Sequence, residues 1–244
     1  MKIALFSDIH ANQQALDAIW KDIQTIHPEE IYCLGDLVGY GPHPNEVVQF
    51  VRTNNVPTLM GNYDKGVGFD LDDCGCVYQH PDDIALGNLS LKWAREHTSP
   101  QNKTFLRNLP MTIQAKHAGK RLLFVHGSPR AINEYMFADR PEATFARIAK
   151  AANCDLLLFG HTHMHYKKQV GGTLFVNTGS VGKPKDGDPR AGYVMLTLGT
   201  DTMDVEFRRV DYDVAETAHA VRASGLPHDF AIELETGGVP HLPA

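Results

Sequence analysis

The sequence lacks long apolar runs and any concentration of basic charge. No apolar stretch approaches the ~20 residues that a membrane-spanning helix needs, and the opening "MKIALFSDIH" has one lysine followed by acidic and polar residues, unlike a signal peptide. With 23 Lys and Arg against 29 Asp and Glu, the formal net charge is −6. Long nucleic acids are therefore disfavoured as partners, whereas small phosphorylated substrates remain possible.

Cysteines are also scarce. Four in 244 residues do not form a disulfide framework, and Cys33 and Cys154 lie in apolar runs that predict core positions. The "CGC" at 74–76 could be a metal or redox pair, but two cysteines without further ligands are a weak signal. We therefore expect a cytoplasmic protein in a reducing environment.

Short apolar runs alternate with helical patterns, which is typical of α/β proteins. Seven runs have the length and composition of buried strands: 2–7, 30–35, 56–61, 121–127, 155–161, 173–179 and 193–198. Helices are predicted after Asn12, after "GPHP" and over "RPEATFARIAKAANC". The pattern predicts a single domain over residues 1–244.

Two regions depart from this alternation. Residues 66–110 contain no strand-like run and predict a helical excursion from the sheet, followed by a hairpin that turns at Ala118-Gly119. From residue 191 onwards, alternating apolar residues predict antiparallel strands, with a helix near 213–224 behind them.

Polar side chains follow the predicted strands where each strand ends. They are Asp8 and His10 after the first run, Asp36 after the second, Asn62 and Asp64 after the third, His126 and Ser128 after the fourth, His161, Thr162 and His163 after the fifth, and Asn177, Thr178 and Ser180 after the sixth. Ligands of open α/β sheets lie outside the carboxyl ends of the strands, so these residues would gather there. Carboxylate, imidazole and amide oxygen together suit Mn, Fe, Zn, Co or Ni, whereas magnesium prefers oxygens. A shared carboxylate could hold two ions ~3.5–4 Å apart, with a water between them that attacks phosphorus.

The motifs "DIH", "GDLVGYGP", "GNYD", "VHGS" and "GHTH" closely resemble, in this order, the five motifs of the calcineurin-like metallophosphoesterase superfamily, over residues 7–182. The later "NTGSVGKPKDGDPRAGY" resembles a bacterial branch described as diadenosine-tetraphosphatase-like or small phosphodiesterase-like. The resemblance implies a four-layer α/β/β/α sandwich with two mixed β-sheets. It also implies the ligand set: Asp8, His10 and His163 for one metal ion, Asn62, His126 and His161 for the other, and Asp36 bridging both.

Two positions depart from the family pattern. Many relatives have histidine where this chain has Tyr63, and that histidine is thought to protonate the leaving oxygen. The aspartate that supports it in the phosphoprotein-phosphatase branch is replaced here by Gly39. Tyr63, with an ordinary pKa of ~10, could donate a proton less readily or could be only a pocket wall. Without a strong acid, diesters, pyrophosphates and esters with good leaving groups are favoured over alkyl monoesters.

Four further residues have two interpretations each. His43 could be a replacement acid or a loop residue, and Arg130 could clamp phosphate or be a surface charge. Asp64 could orient a ligand or serve as turn chemistry. His165 shares the strand face of His163, and we expect it to support the site or face solvent rather than bind metal.

The sequence therefore predicts a phosphoesterase with two divalent transition-metal ions, manganese among the candidates, in which a metal-bridging hydroxide attacks small phosphodiesters or nucleotides. The alternatives are a phosphomonoesterase, a dinucleotide polyphosphate hydrolase, and a catalytically silent binding scaffold of the same fold. A metal-dependent amidohydrolase is disfavoured because those enzymes begin with a His-x-His strand end. Asp36, Tyr63, His43 and Arg130 are the candidate catalytic residues.

Overall fold

A computed structural model describes residues 1–76, 81–200 and 202–238. The strands within these ranges are β1 (Lys2–Phe6), β2 (Glu30–Cys33), β3 (Ile113–His117), β4 (Lys120–Phe124), β5 (Leu156–Phe159), β6 (His165–Val170), β7 (Thr173–Thr178), β8 (Ala191–Leu198) and β9 (Met203–Val210). The helices are α1 (Gln13–Ile26), α2 (Pro44–Thr53), α3 (Asn62–Gly68), α4 (Pro81–His97), α5 (Pro100–Arg107), α6 (Glu142–Ala152), α7 (Val214–Ala223) and α8 (Asp229–Thr236).

The strands form two mixed sheets that pack face to face. The smaller has the order β2-β1-β8-β9 and the larger β3-β4-β5-β7-β6, and each contains parallel and antiparallel pairs. Apolar side chains of both sheets, such as Leu5 and Phe124, fill the space between them. A second core joins α1 and α2 to the outer face of the smaller sheet, and a third joins α6 to the larger sheet. The four-layer α/β/β/α sandwich is confirmed.

Helix α1 shows how local sequence sets these layers. Leu16, Ile19 and Ile23 repeat at helical spacing and are fully buried against the smaller sheet. The Asn12 side chain accepts the N–H of Ala15 at 3.0 Å and caps the first turn, an interaction that stabilises a helix by about 1 kcal/mol. The chain thus leaves the end of β1 through a fixed turn.

The predicted strand at 56–61 is wrong. The segment makes only one isolated bridge, between Cys33 and Thr58. Pro57 has no N–H to donate to a ladder, and the N–H of Met60 donates to the carbonyl of Pro110 at 2.8 Å instead. Segment 56–61 therefore runs beside the smaller sheet as irregular chain and delivers Asn62 to the start of α3.

The predicted helical excursion at 66–110 is found as α4 and α5, preceded by α3, although residues 77–80 lie outside the described residues. The hairpin between β3 and β4 turns at Ala118 and Gly119, whose φ values of 48° and 79° match the left-handed turn typical of two-residue hairpins. Within the described residues, no helix is both long and apolar enough to cross a membrane.

Candidate metal centre

Seven polar side chains converge beyond the ends of β1, β2, β4 and β5 and at the start of α3. Two groups bring their donor atoms within 4.8 Å of one another: Asp8, His10 and His163 in the first, and Asp36, His126 and His161 in the second. Asn62 adjoins the second group, with its Oδ1 atom 3.0 Å from His126 Nε2. Each of the seven side chains belongs to a residue that is at most 4% exposed.

The backbone of this centre is strained. The residues with left-handed φ angles, between 50° and 65°, include Asp8, His10, Asp36, His161 and His163. Non-glycine residues seldom adopt this conformation, which costs on the order of 1–3 kcal/mol, and Asp and His tolerate it better than most. The strained turns after β1 and β5 let each of these segments supply two side chains to the centre.

Hydrogen bonds orient the imidazoles. In three of them, Nδ1 lies within hydrogen-bond distance of a backbone carbonyl oxygen. The partners are Val38 for His10 at 3.0 Å, Leu34 for His126 at 2.8 Å and Lys183 for His163 at 2.5 Å. A carbonyl only accepts, so Nδ1 carries the proton and the Nε2 of each neutral ring keeps a lone pair. These lone pairs are available to a ligand at the centre.

The donor atoms fit bound cations. His10 Nε2 lies 3.2 Å from His163 Nε2, and His126 Nε2 lies 3.0 Å from Asn62 Oδ1. In addition, buried Asp8 Oδ1 and His161 Nε2 have no hydrogen-bond partner among the described residues. Lone pairs that face each other, and buried acceptors left without donors, are unfavourable unless positive charge lies among them. Imidazole, carboxylate and amide donors suit divalent transition-metal ions.

Asp36 lies between the two groups. Its Oδ2 atom is 3.6 Å from His10 Nε2 in the first group and 3.3 Å from His126 Nε2 in the second. Its Oδ1 atom accepts the backbone N–H of Tyr63 at 2.8 Å, which fixes the plane of the carboxylate. One Asp36 oxygen can therefore serve both groups.

Burial and neighbouring carboxylates set the protonation of the centre. Burial lowers the pKa of His10 to about 3, and it also lowers the pKa values of His161 and His163. At His126 burial acts in the same direction, but the carboxylates of Asp36 and Asp8 outweigh it and raise the pKa to about 10. Without bound cations, the centre thus contains three neutral imidazoles and a protonated His126, whose proton shows that the carboxylates attract positive charge.

Tyr63 and Asp64 play separate parts in the "GNYD" turn. Tyr63 is buried with its ring edge-on to His10, at 5.4 Å between ring centres, and its hydroxyl lies 3.5 Å from the Gly87 carbonyl of α4. The Asp64 carboxylate accepts the N–H groups of Asp36, Leu37 and Gly61 at 2.8 to 2.9 Å. Asp64 therefore caps α3 and also holds the loop that carries Asp36.

The structure does not bring His43 or His165 to the centre. His43 precedes α2 and lines a surface groove with residues of α1 and α7, including Gln13 and Glu216, and none of the seven candidate ligands lines that groove. The replacement-acid interpretation of His43 stays a prediction. His165 stacks on Phe207 of β9 at 5.2 Å between ring centres, which places it within the sheets.

Arg130 lies on the surface, in the loop that follows His126. Its side chain is about half exposed, and its Nε atom donates to Glu134 Oε2 at 2.9 Å. Arg140 donates to the same carboxylate, at 2.9 Å. The guanidinium of Arg130 is thus held in an ion-pair cluster that braces the loop after His126.

Two residues next to the ligands were not predicted as site residues. The ring of Tyr135 lies 4.1 Å from that of His161, and the Cys76 thiol accepts the side-chain amide of Asn62 at 3.2 Å. The "CGC" motif gave a weak sequence signal for Cys76. Tyr135 lies in an irregular loop with no spacing pattern, so the sequence offered no signal for it.

Comparisons with known proteins agree with this architecture. The family model for the calcineurin-like phosphoesterase superfamily domain matches residues 1–201. An uncharacterized protein of Methanocaldococcus jannaschii is 33% identical over 245 residues, covering 92% of this chain and 93% of that protein. The crystal structure of a metallophosphoesterase from Sphaerobacter thermophilus is 30% identical, with a TM-score of 0.77 over 97% of this chain and 99% of that one. A hypothetical protein from Pyrococcus horikoshii shares the fold, with 23% identity and a TM-score of 0.85 over 98% of both chains.

Proposed function

The chain belongs to the calcineurin-like phosphoesterase superfamily and is a metal-dependent phosphoester hydrolase; we propose that it is a two-metal phosphodiesterase acting on small phosphodiesters or nucleotides. The observation that carries this proposal is the position of Asp36 Oδ2, within 3.6 Å of His10 Nε2 and 3.3 Å of His126 Nε2. A carboxylate shared by two ligand groups suits two ions held side by side. We further propose that the chain works as one cytoplasmic domain.

Two divalent ions at such a centre supply Lewis-acid polarisation of phosphoryl oxygens and acidify water enough for attack on phosphorus near neutral pH. The chain's own residues supply the preorganisation. The carbonyls of Val38, Leu34 and Lys183 fix three imidazole rings. Asp64 and the Tyr63 N–H fix the Asp36 loop and carboxylate. Because the donors are already in place, little reorganisation accompanies the reaction.

The preference for diesters is supported by the environment of Tyr63. Its hydroxyl faces the Gly87 carbonyl of α4, and Gly39 has no side chain to support an acid at that position. A centre without a strong acid there favours leaving groups that depart with little protonation, as in aryl diesters and nucleotide phosphodiesters or pyrophosphates. Alkyl phosphomonoesters would then be poor substrates.

The test is a substrate and metal screen on metal-free protein reloaded separately with Mn, Fe, Zn, Co or Ni. The substrates are bis-p-nitrophenyl phosphate, p-nitrophenyl phosphate, cyclic nucleotides, diadenosine tetraphosphate and an alkyl phosphomonoester. We expect the diester to be turned over fastest and Asp36→Asn to lose about 100-fold or more in kcat. Asp204→Asn removes an exposed carboxylate of β9 and should match the wild type.

Two results would contradict the proposal at different points. Full activity of Asp36→Asn would exclude the two-metal mechanism. Rapid hydrolysis of an alkyl phosphomonoester that survives Tyr63→Phe would exclude the diester preference while leaving the metal centre intact.

A further inference from the structure

A pair of thiols lies beside the second ligand group. Cys74 Sγ is 3.1 Å from Cys76 Sγ, and both cysteines are half-buried, whereas Cys33 and Cys154 are buried. Cys76 Sγ also accepts the Nδ2 amide of Asn62 at 3.2 Å. The thiol pair is therefore accessible and in direct contact with a candidate metal ligand.

The turn that carries the thiols is fixed on the loop before α6. The Asn133 side chain donates to the Gly75 carbonyl at 2.7 Å, and the Tyr135 hydroxyl hydrogen-bonds with Cys76. Gly75 has φ 73°, and a β-carbon there would lie 2.6 Å from Asn133 Nδ2, so the tight turn needs glycine. These contacts hold the two sulfurs next to each other rather than leaving their approach to chance.

We propose that Cys74 and Cys76 form a reversible thiol-oxidation site, at which peroxide converts the pair to a disulfide and weakens metal binding at Asn62. This inference rests on the proposed metal centre. The sulfurs are near enough that a small movement brings them to the bonding distance of about 2.05 Å. The hydrogen bond with Cys76 also lowers the pKa of Cys74, which favours the reactive thiolate.

The reaction balances with hydrogen peroxide as the oxidant. The thiolate of one cysteine attacks a peroxide oxygen, the O–O bond breaks, and a sulfenic acid forms with release of water after proton uptake. The second thiol attacks the sulfenic sulfur, an S–S bond forms, and a second water leaves. Two thiols are oxidised and one peroxide is reduced to two waters.

The disulfide changes the surroundings of Asn62. In the reduced pair, the Asn62 amide donates to Cys76 while its Oδ1 atom lies 3.0 Å from His126 Nε2. A disulfide draws the Cys76 sulfur toward Cys74 and weakens the hydrogen bond that fixes the amide. Loss of a partner that orients a ligand lowers metal affinity about 10- to 100-fold.

The experiment treats zinc-loaded protein with hydrogen peroxide, because Zn²⁺ does not itself change oxidation state. Mass spectrometry of the proteolysed protein maps the disulfide, and zinc per chain is measured after dialysis against a weak chelator, before and after reduction with dithiothreitol. Cys74→Ser removes the pair. Cys154→Ser removes a buried thiol of raised pKa and is the matched control.

We expect the wild type and Cys154→Ser to form the 74–76 disulfide, to lose about one zinc ion per chain and to regain it after reduction and reloading. Cys74→Ser should keep its zinc. Free thiols at both positions after treatment, a disulfide without zinc loss, or equal zinc loss in Cys74→Ser would each overturn the inference. The disulfide map is independent of catalysis and metal content, so a failure of the proposed function would be recognised separately.

Discussion

The ring of Tyr63 occupies the space that a side chain at Gly39 would need. A β-carbon on Gly39 would lie 2.3 Å from Tyr63 Cδ1, and Gly39 has φ 91°, a conformation that favours glycine. The two departures from the family motifs, tyrosine for histidine and glycine for aspartate, therefore form one packing arrangement beside His10. Their joint occurrence has a steric reason.

This arrangement predicts strong coupling between the two positions. Gly39→Ala should destabilise the wild type by the left-handed strain of about 1–2 kcal/mol plus overpacking of about 1–3 kcal/mol. In a Tyr63→Ala background only the strain should remain, as measured by urea unfolding of the four proteins of the cycle. Gly119→Ala, with φ 79° and open space around it, should cost the same in both backgrounds. Equal costs of Gly39→Ala in both backgrounds would contradict the shared space.

Removal of the Tyr63 hydroxyl should have little effect on catalysis. The hydroxyl lies 3.5 Å from a carbonyl of α4, so Tyr63→Phe should keep kcat for bis-p-nitrophenyl phosphate within about threefold. Tyr63→Ala should instead lower the free energy of unfolding by about 3–5 kcal/mol, because the ring is fully buried. A loss of about 100-fold in Tyr63→Phe, at unchanged metal content, would identify the hydroxyl as the proton donor after all.

Asp64 should matter for metal binding as well as for stability. The Asp64 carboxylate accepts three backbone N–H groups. In Asp64→Asn, the side-chain NH₂ would face at least one of these donors, which should lower the free energy of unfolding by about 1–3 kcal/mol. Because two of those groups belong to Asp36 and Leu37, metal affinity should also fall about 10-fold or more. Asp213→Ala removes the cap of α7 and should lower the urea midpoint without changing metal affinity in a competition titration. If Asp64→Asn and the wild type bound metal equally well, Asp64 would only cap α3 and would not support the metal centre.

The Glu134 cluster predicts a pH dependence of stability. Burial raises the pKa of Glu134, but hydrogen bonds from Arg130, Ser128 and Arg140 outweigh it and lower the pKa from 4.5 to about 2. A depressed pKa in the folded state gives stability that is complete above pH 4.5 and is lost as the pH falls toward 2.

Glu134→Gln should therefore have a lower urea midpoint than the wild type at pH 7, and the difference should shrink between pH 4.5 and the acid limit of folding. Glu96→Gln, at an exposed position of α4, should show no comparable trend. A Glu134→Gln difference that is constant with pH would mean that the ion pairs are not its source. The activity of Glu134→Gln also shows whether Arg130 must be ion-paired with Glu134 for catalysis.

The fold was predictable because apolar periodicity and strand-end polar residues agree with each other. Asn12 and the four buried apolar residues of α1 (Ala15, Leu16, Ile19 and Ile23) predict that helix, and Ala118-Gly119 predicts the hairpin. The strand predicted at 56–61 failed because the prediction gave more weight to the apolar run than to Pro57, which lacks an N–H donor. The hydrogen bond from Met60 to Pro110 is a tertiary contact that the sequence does not show. Segment 56–61 is apolar because it is buried beside the smaller sheet, although it is not a strand of that sheet.

The candidate site was predictable in its residue types but not in its surroundings. The positions that gather at the centre carry Asp, His or Asn directly after apolar runs, but other polar residues follow the same runs, so the resemblance to the family motifs was needed to select the ligand set. The approach of Tyr135 to His161 and of Cys76 to Asn62 depends on how two irregular loops pack together. These loops are placed by tertiary contacts, and such contacts produce no periodic pattern in the sequence from which they could be predicted.

The most direct measurement is the number of transition-metal ions per chain, determined by elemental analysis after reloading metal-free protein. With a centre bridged by Asp36, the wild type should bind two ions, and His10→Ala and His161→Ala should each retain about one because they alter different ligand groups. Binding of one ion or fewer by the wild type, or complete retention of metal by both variants, would contradict the two-metal centre.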